Sequence, residues 1–170
     1  LQALVHRVDE VHHSDRTIGA ARQHLLRAAH SAEEAGVIRV ISAGNQGSLE
    51  QLFDRLGVIT SRDFYMSDMA DPSAIIVGAS DNRGTDTRAD DGRAALASPD
   101  AGALVGAQGV NVPVTINGKT YMESGSSFAQ PQVSALVADW KAADPGLTRD
   151  EAVQRLLSLA HPVADAEPYI

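Results

Sequence analysis

Glu123-Ser124-Gly125-Ser126-Ser127-Phe128-Ala129-Gln130-Pro131-Gln132-Val133 is the stretch on which the reading of this chain turns. Small residues stand directly before an apolar pattern in which Val133, Leu136, Val137 and Trp140 recur at helical spacing, which predicts a helix over 128–142. Pro131 then falls in the first turn, where its missing N–H is tolerated because first-turn amides have no intrahelical acceptor. A serine at such a helix start has free backbone N–H groups beside it and the positive dipole end beneath it. Both favour negative charge developing on a substrate oxygen. Gly125 lets a substrate backbone approach closely. The same residues also read as a serine-rich N-cap, a common helix start in any protein. On this stretch alone both readings stay open.

A second stretch, Val40-Ile41-Ser42-Ala43-Gly44-Asn45-Gln46-Gly47, lies far upstream. Before it, Ile18, Ala21, Leu25, Ala28, Ala32 and Ala35 recur at helical spacing behind a possible cap at Ser14 or Asp15, and Gly36 suits a left-handed helix end. Val37–Ile41 is β-branched and apolar, a buried strand by composition. Helix, glycine and apolar strand make half of a parallel βαβ unit. In open α/β sheets, ligand sites gather at the carboxyl ends of the strands. An asparagine there can aim its side-chain N–H at an oxyanion, while Ser42, Ala43 and Gly44 are small enough to leave room for a substrate side chain. Asn45 equally fits an ordinary turn between a strand and a helix.

The remaining pattern is α/β throughout, read as one domain over 1–170. Leu1–Val11 has helical spacing, Ser48–Leu56 reads as a helix stopped by Gly57, and Ala74–Ala79 reads as another apolar strand. Asp81–Gly92 is polar and aperiodic, a surface loop. Val112–Ile116 and Lys119–Met122 flank Asn117-Gly118, the signal of a type I′ hairpin. Thr148 is placed to cap a last helix over Arg149–Ala160.

With 14 Lys+Arg against 22 Asp+Glu the net charge is -8, which repels phosphate backbones and argues against nucleic acid or an anionic membrane as partner. No apolar run approaches the roughly 20 residues that span a bilayer. The absence of cysteine excludes disulfides, thiolate nucleophiles and cysteine-based metal sites. The chain begins at Leu1, so it is expected to be a processed or excised piece.

Taken together, the strand ending in Ala43-Gly44-Asn45, the strand ending in Val77-Gly78-Ala79, and Gly125-Ser126-Ser127-Phe128-Ala129-Gln130-Pro131 opening a helix resemble the subtilisin-like (subtilase) family. That family carries Gly-Thr-Ser-Met-Ala-x-Pro around its nucleophile and Ala-Gly-Asn at its oxyanion site. Here Ser126 stands for Thr and Phe128 for Met. The resemblance runs from about residue 20 to 162 and includes Gly109, at the glycine of the family's Ala-Pro-Gly turn, with Gln108 in place of the proline. Gln132 stands where many relatives have a non-catalytic histidine. The resemblance implies the C-terminal part of a three-layer fold, a mainly parallel sheet flanked by helices with a hairpin before the nucleophile helix. It implies Ser127 as nucleophile and Asn45 as oxyanion donor, with Ser42, Ala43, Gly44, Gly125 and Ser126 around a bound polypeptide. It also implies secretion or a cell-surface location. No cofactor is required, although structural calcium is common in the family; the Asp81–Asp91 loop is rich enough in carboxylates but lacks a defined calcium-loop spacing.

A triad further needs a base and a carboxylate that orients it. The family's Asp-Thr/Ser-Gly and His-Gly-Thr-His motifs lie upstream of the Ala-Gly-Asn strand and do not occur here. His6, His12, His13, His24, His30 and His161 sit in no glycine-rich context and read as surface or cap residues. The expectation is therefore a serine endopeptidase seen in part, inactive alone and needing the N-terminal half of its catalytic domain. The alternative is a pseudoprotease that only binds peptides or partners. A nucleotide-binding or receiver domain is disfavoured, because no Gly-x-Gly-x-x-Gly follows a strand.

Overall fold

The computed structural model describes residues 20–45, 73–82, 92–94 and 102–161. The predicted elements over 1–11 and 48–56, and the cap at Ser14 or Asp15, lie outside the described residues. The chain divides into two compact units, Leu1–Val37 and Ile38–Ile170.

In the first unit, residues 20–34 form helix α1. Its end follows the sequence closely: Gly36 takes φ 76°, its N–H donates to Glu33 O at 2.8 Å, and the Val37 N–H donates to Ala32 O at 2.9 Å. That pair of bonds is a Schellman motif, which satisfies carbonyls the helix end would otherwise orphan. The half-buried residues are Leu26, Ala29 and Ala32, whereas Ala21, Leu25 and Ala28 are exposed. The covered stripe is thus rotated by one residue from the spacing expected, because alanine repeats mark a helical period without fixing which face is covered. Among the described residues, His24 contacts Arg27 and His30 contacts Glu34.

The second unit is built on a sheet whose centre is β2, Ile75–Asp81. Strand β1, Val40–Ser42, pairs with it in parallel, Ser42 opposite Val77. Strand β4, Val105–Gln108, also pairs in parallel, with Val105 opposite Val77. Two strands facing one residue must lie on opposite edges, so β2 is interior. Strand β3, Gly92–Arg93, adds a short antiparallel pair at Ser80 and Asp81. Because β4 also faces Ser80, β3 continues the β1 edge. The β2 residues alternate between two apolar layers. Ile75, Val77 and Ala79 join the main core, while Ile76 packs on Ala43 and Ala103 on the other face. A strand covered on both sides needs the continuous apolar run its sequence shows.

Strands β5, Val112–Ile116, and β6, Lys119–Glu123, form a separate hairpin. Asn117 and Gly118 hold φ 51° and 74°, the two left-handed residues a type I′ turn demands. Helix α2, Ser126–Ala143, lays Ala129, Val133 and Val137 into the main core. Helix α3, Arg149–Leu159, adds Ala152, Val153 and Leu156. Thr148 caps it through a full capping box with Glu151.

Two expectations change. Strand β1 starts at Val40 rather than Val37, which is 52% exposed; pairing with β2, not composition, sets its limits. Helix α2 begins at Ser126, so Pro131 is its sixth residue and lies beyond the first turn. Its missing N–H would have bonded the Ser127 carbonyl four residues back, so that carbonyl is left without its helical partner. Among the described residues no helix is long and apolar enough to cross a membrane.

Candidate active site

The carboxyl end of β1 and the start of α2 meet, and their meeting creates the site. After Ser42 the Ala43 N–H continues the ladder by donating to Val77 O at 2.9 Å. Gly44 then turns the chain with φ 90°, a conformation that costs glycine little and other residues more. That turn delivers Asn45 to the first residue of α2, 81 positions along the chain.

The contact is specific. The Ser126 N–H donates to Asn45 Oδ1 at 2.8 Å, and the Ser126 hydroxyl donates to the same oxygen at 2.9 Å. The Ser126 Oγ in turn accepts from the Gly44 N–H at 3.1 Å. A backbone N–H can only donate, so the atom facing it must be the amide oxygen. This fixes the flip of the Asn45 amide and turns its donor, Nδ2, to the other side. There it lies against Gly125: a Cβ built at Gly125 would come within 3.1 Å of Nδ2, and within 3.6 Å of the Phe128 ring. A side chain at Gly125 would therefore crowd the asparagine amide, which would have to shift by a few tenths of an ångström.

The alternative reading, a serine-rich N-cap, does not form. Gly125 holds the N-cap position and no side chain of the loop caps α2. Asn45 does that work from another element by accepting the first helical N–H. Ser126 is 1% exposed, so its hydroxyl serves Asn45 and Gly44. Ser127 is exposed, and among the described residues neither its N–H nor its hydroxyl has a protein partner. An exposed hydroxyl and a free N–H at a helix start, beside an asparagine donor, form a compact site for an oxygen acquiring negative charge.

Behind the turn, Gly109 closes the packing. Its N–H donates to Ser80 O at 2.9 Å and its carbonyl accepts the Gly125 N–H at 2.7 Å. A Cβ there would lie 2.5 Å from Ala79 Cβ, so nothing larger than glycine fits between the sheet and the turn bearing Ser127. Gln130, a position without expected role, donates from Nε2 to Val40 O at 2.9 Å and to Ser134 Oγ at 2.7 Å, tying α2 to β1. No local signal marks such a residue, since its partner is distant in sequence.

Of the other sequence-derived residues, Ser42 is half-buried and Ala43 and Gly44 are buried at the β1 end. Most of the acidic 81–91 loop, together with His6, His12 and His13, lies outside the described residues. Among the described residues no group of three His, Asp or Glu could hold a metal ion.

No curated protein matches the chain at a significant level. Its fold is similar to that of a cold adapted subtilisin-like serine proteinase, with a TM-score of 0.58 at 21% identity over 82% of this chain and 45% of that one. It is similar also to sphericase, with a TM-score of 0.58 at 25% identity over 79% of this chain and 43% of that one. The chain therefore spans less than half the length of these two structures. The subtilase family model matches residues 10–167, nearly the whole length, and on that match the chain belongs to the subtilase family.

Proposed function

We propose that the chain carries the nucleophile and oxyanion site of a serine endopeptidase, with the general base and its orienting carboxylate supplied by sequence outside it. One observation carries the reading: the Asn45 amide is locked by Ser126 with its donor end beside Gly125, next to an exposed Ser127 whose N–H has no partner among the described residues. Such preorganisation is what an oxyanion hole requires. Ser127 Oγ attacks the carbonyl of a bound polypeptide as a histidine takes its proton. The carbonyl oxygen becomes an oxyanion held by Asn45 Nδ2 and the Ser127 N–H. The C–N bond then breaks, the histidine returns the proton to the leaving amine, and water hydrolyses the acyl-enzyme. Ser42, Ala43 and Gly44 line a pocket for a substrate side chain, and Gly125 leaves room for the substrate backbone. Ser126 acts by holding Asn45.

With no acid-base partner for Ser127 among the described residues, the chain alone is inactive on this reading. The test is labelling by a serine-directed fluorophosphonate, alone and in the protein at its full natural length. Ser127 of the full-length protein labels rapidly, Ser127→Ala abolishes labelling and peptide cleavage, and residues 1–170 alone label orders of magnitude more slowly. Rapid labelling of the isolated chain would overturn the dependence on outside residues. A full-length protein that binds peptides yet neither labels nor cleaves them would be a peptide-binding pseudoprotease.

A further inference from the structure

The turn bearing Ser127 is held from a second direction, by residues 108–111 running beside it. This strap is fixed to the sheet by Gly109, whose N–H bonds Ser80 O and whose Cα packs too tightly on Ala79 to admit a Cβ. Its other contacts reach forward to the helix start. The Gly109 carbonyl accepts the Gly125 N–H at 2.7 Å, and the Asn111 N–H donates to Ser124 Oγ at 3.1 Å. Gln108 closes the strap on itself by donating from Nε2 to Val110 O at 2.6 Å.

Gln132 joins strap and helix. Its Nε2 donates to Gln108 O at 2.7 Å and to Phe128 O at 2.8 Å. Both partners are carbonyls, which only accept, so the nitrogen and not the oxygen must face them, and both amide hydrogens are used. One prong grips the strap and the other grips the residue directly after Ser127.

We propose that Gln132 is a positioning residue, a two-pronged donor that holds the turn bearing Ser127 against the 108–111 strap. The proposal rests on the reading of Ser127 as nucleophile only for its kinetic consequence. A side chain touching no reacting atom should change how often Ser127 is correctly placed, and thus kcat, and should leave substrate affinity alone. A neutral histidine carries one ring N–H donor and can keep one of the two prongs.

The experiment compares Gln132→Ala, Gln132→Glu and Gln132→His in the full-length protein, reading kcat, KM and amide hydrogen exchange at Gly125. Gln132→Ala lowers kcat by about three- to tenfold, the scale of one or two net hydrogen bonds, with KM within about twofold, and the Gly125 amide exchanges faster. Gln132→Glu is ionised wherever the histidine base is neutral, so a carboxylate then faces two carbonyl oxygens and kcat falls at least as far as in Gln132→Ala. Gln132→His restores part of the loss. Unchanged Gly125 exchange in Gln132→Ala overturns the proposal, as does unchanged kcat or a rise in KM alone in an active enzyme. If the unaltered protein neither cleaves peptides nor labels at Ser127, the reading of Ser127 fails, and faster Gly125 exchange in Gln132→Ala still establishes the hold on the turn.

Discussion

At the scale of single residues, Asn45 has two separable tasks, one at each end of its amide. The oxygen accepts two hydrogen bonds from Ser126 and so organises the start of α2; the nitrogen is the donor proposed for an oxyanion. Asn45→Asp separates them. A carboxylate still accepts both bonds, more strongly, and suits the positive end of a helix, so melting temperature holds or rises. It offers no donor and brings a negative charge to the place where another must develop, so kcat falls by at least the roughly 10²–10³ known for losing one oxyanion donor in subtilisin. Asn45→Ala loses both tasks, and stability drops with activity. Thermal melts and steady-state kinetics on the two variants check this; equal loss of stability in both would contradict it. The places of these residues were legible in the sequence: an asparagine after small residues at a strand end, a serine at a helix start. The hydrogen bonds were not. That Ser126 holds the asparagine while Ser127 stays exposed follows from side-chain directions across 81 residues of chain, and no local pattern encodes those.

At the scale of elements, legibility followed how local the determining interaction is. The β5–β6 hairpin and α3 were readable because an Asn-Gly turn and a Thr-x-x-Glu box determine their own ends. Strands β3 and β4 went unread: Gly92-Arg93 and Val105-Gly106-Ala107-Gln108 have little intrinsic strand preference, and they are strands because β2 offers them an edge. The α3 box carries a testable charge effect. The Thr148 N–H and hydroxyl donate to Glu151 Oε2, each at 2.8 Å, and these bonds hold the Glu151 carboxyl below its ordinary value of 4.5. A carboxylate whose folded pKa is lowered contributes stability that is fully present above its unfolded pKa. That contribution is lost as pH falls through the folded value. Glu151→Gln keeps the box geometry without the titration, so between pH 4.5 and the lower folded value its unfolding free energy falls less steeply than that of the unaltered protein. Thr148→Ala removes the cap itself and costs about 1 kcal/mol at neutral pH. Denaturant unfolding of both variants across that acid range reads the difference.

At the scale of the second unit, the candidate site and the start of α3 lie at opposite ends of the strands, with the core between them and α2 running from the site into it. The site forms where the carboxyl end of β1 meets the first turn of α2. Helix α3 begins at the other end, where Arg149 Nε donates to Ser73 O at 3.1 Å, just before β2 starts. Between them lies a core of Ile75, Val77, Val133, Val137 and Leu156. Because α2 runs from the site into that core, packing near its start should reach the chemistry, and packing under α3 should reach only stability. Leu156 is 6% exposed on α3; truncation to alanine costs about 2–5 kcal/mol as a buried leucine. The full-length Leu156→Ala protein, assayed well below its lowered melting temperature, keeps the kcat and KM of the unaltered enzyme. Val133→Ala removes less volume at a comparably buried site, 6% exposed, and should cost less stability. Yet Val133 follows Gln132 on α2, so its loss loosens the first two turns, and kcat falls even where the protein is fully folded. If the two variants lose activity in proportion to lost stability, the separation of scaffold from site along the strands is wrong.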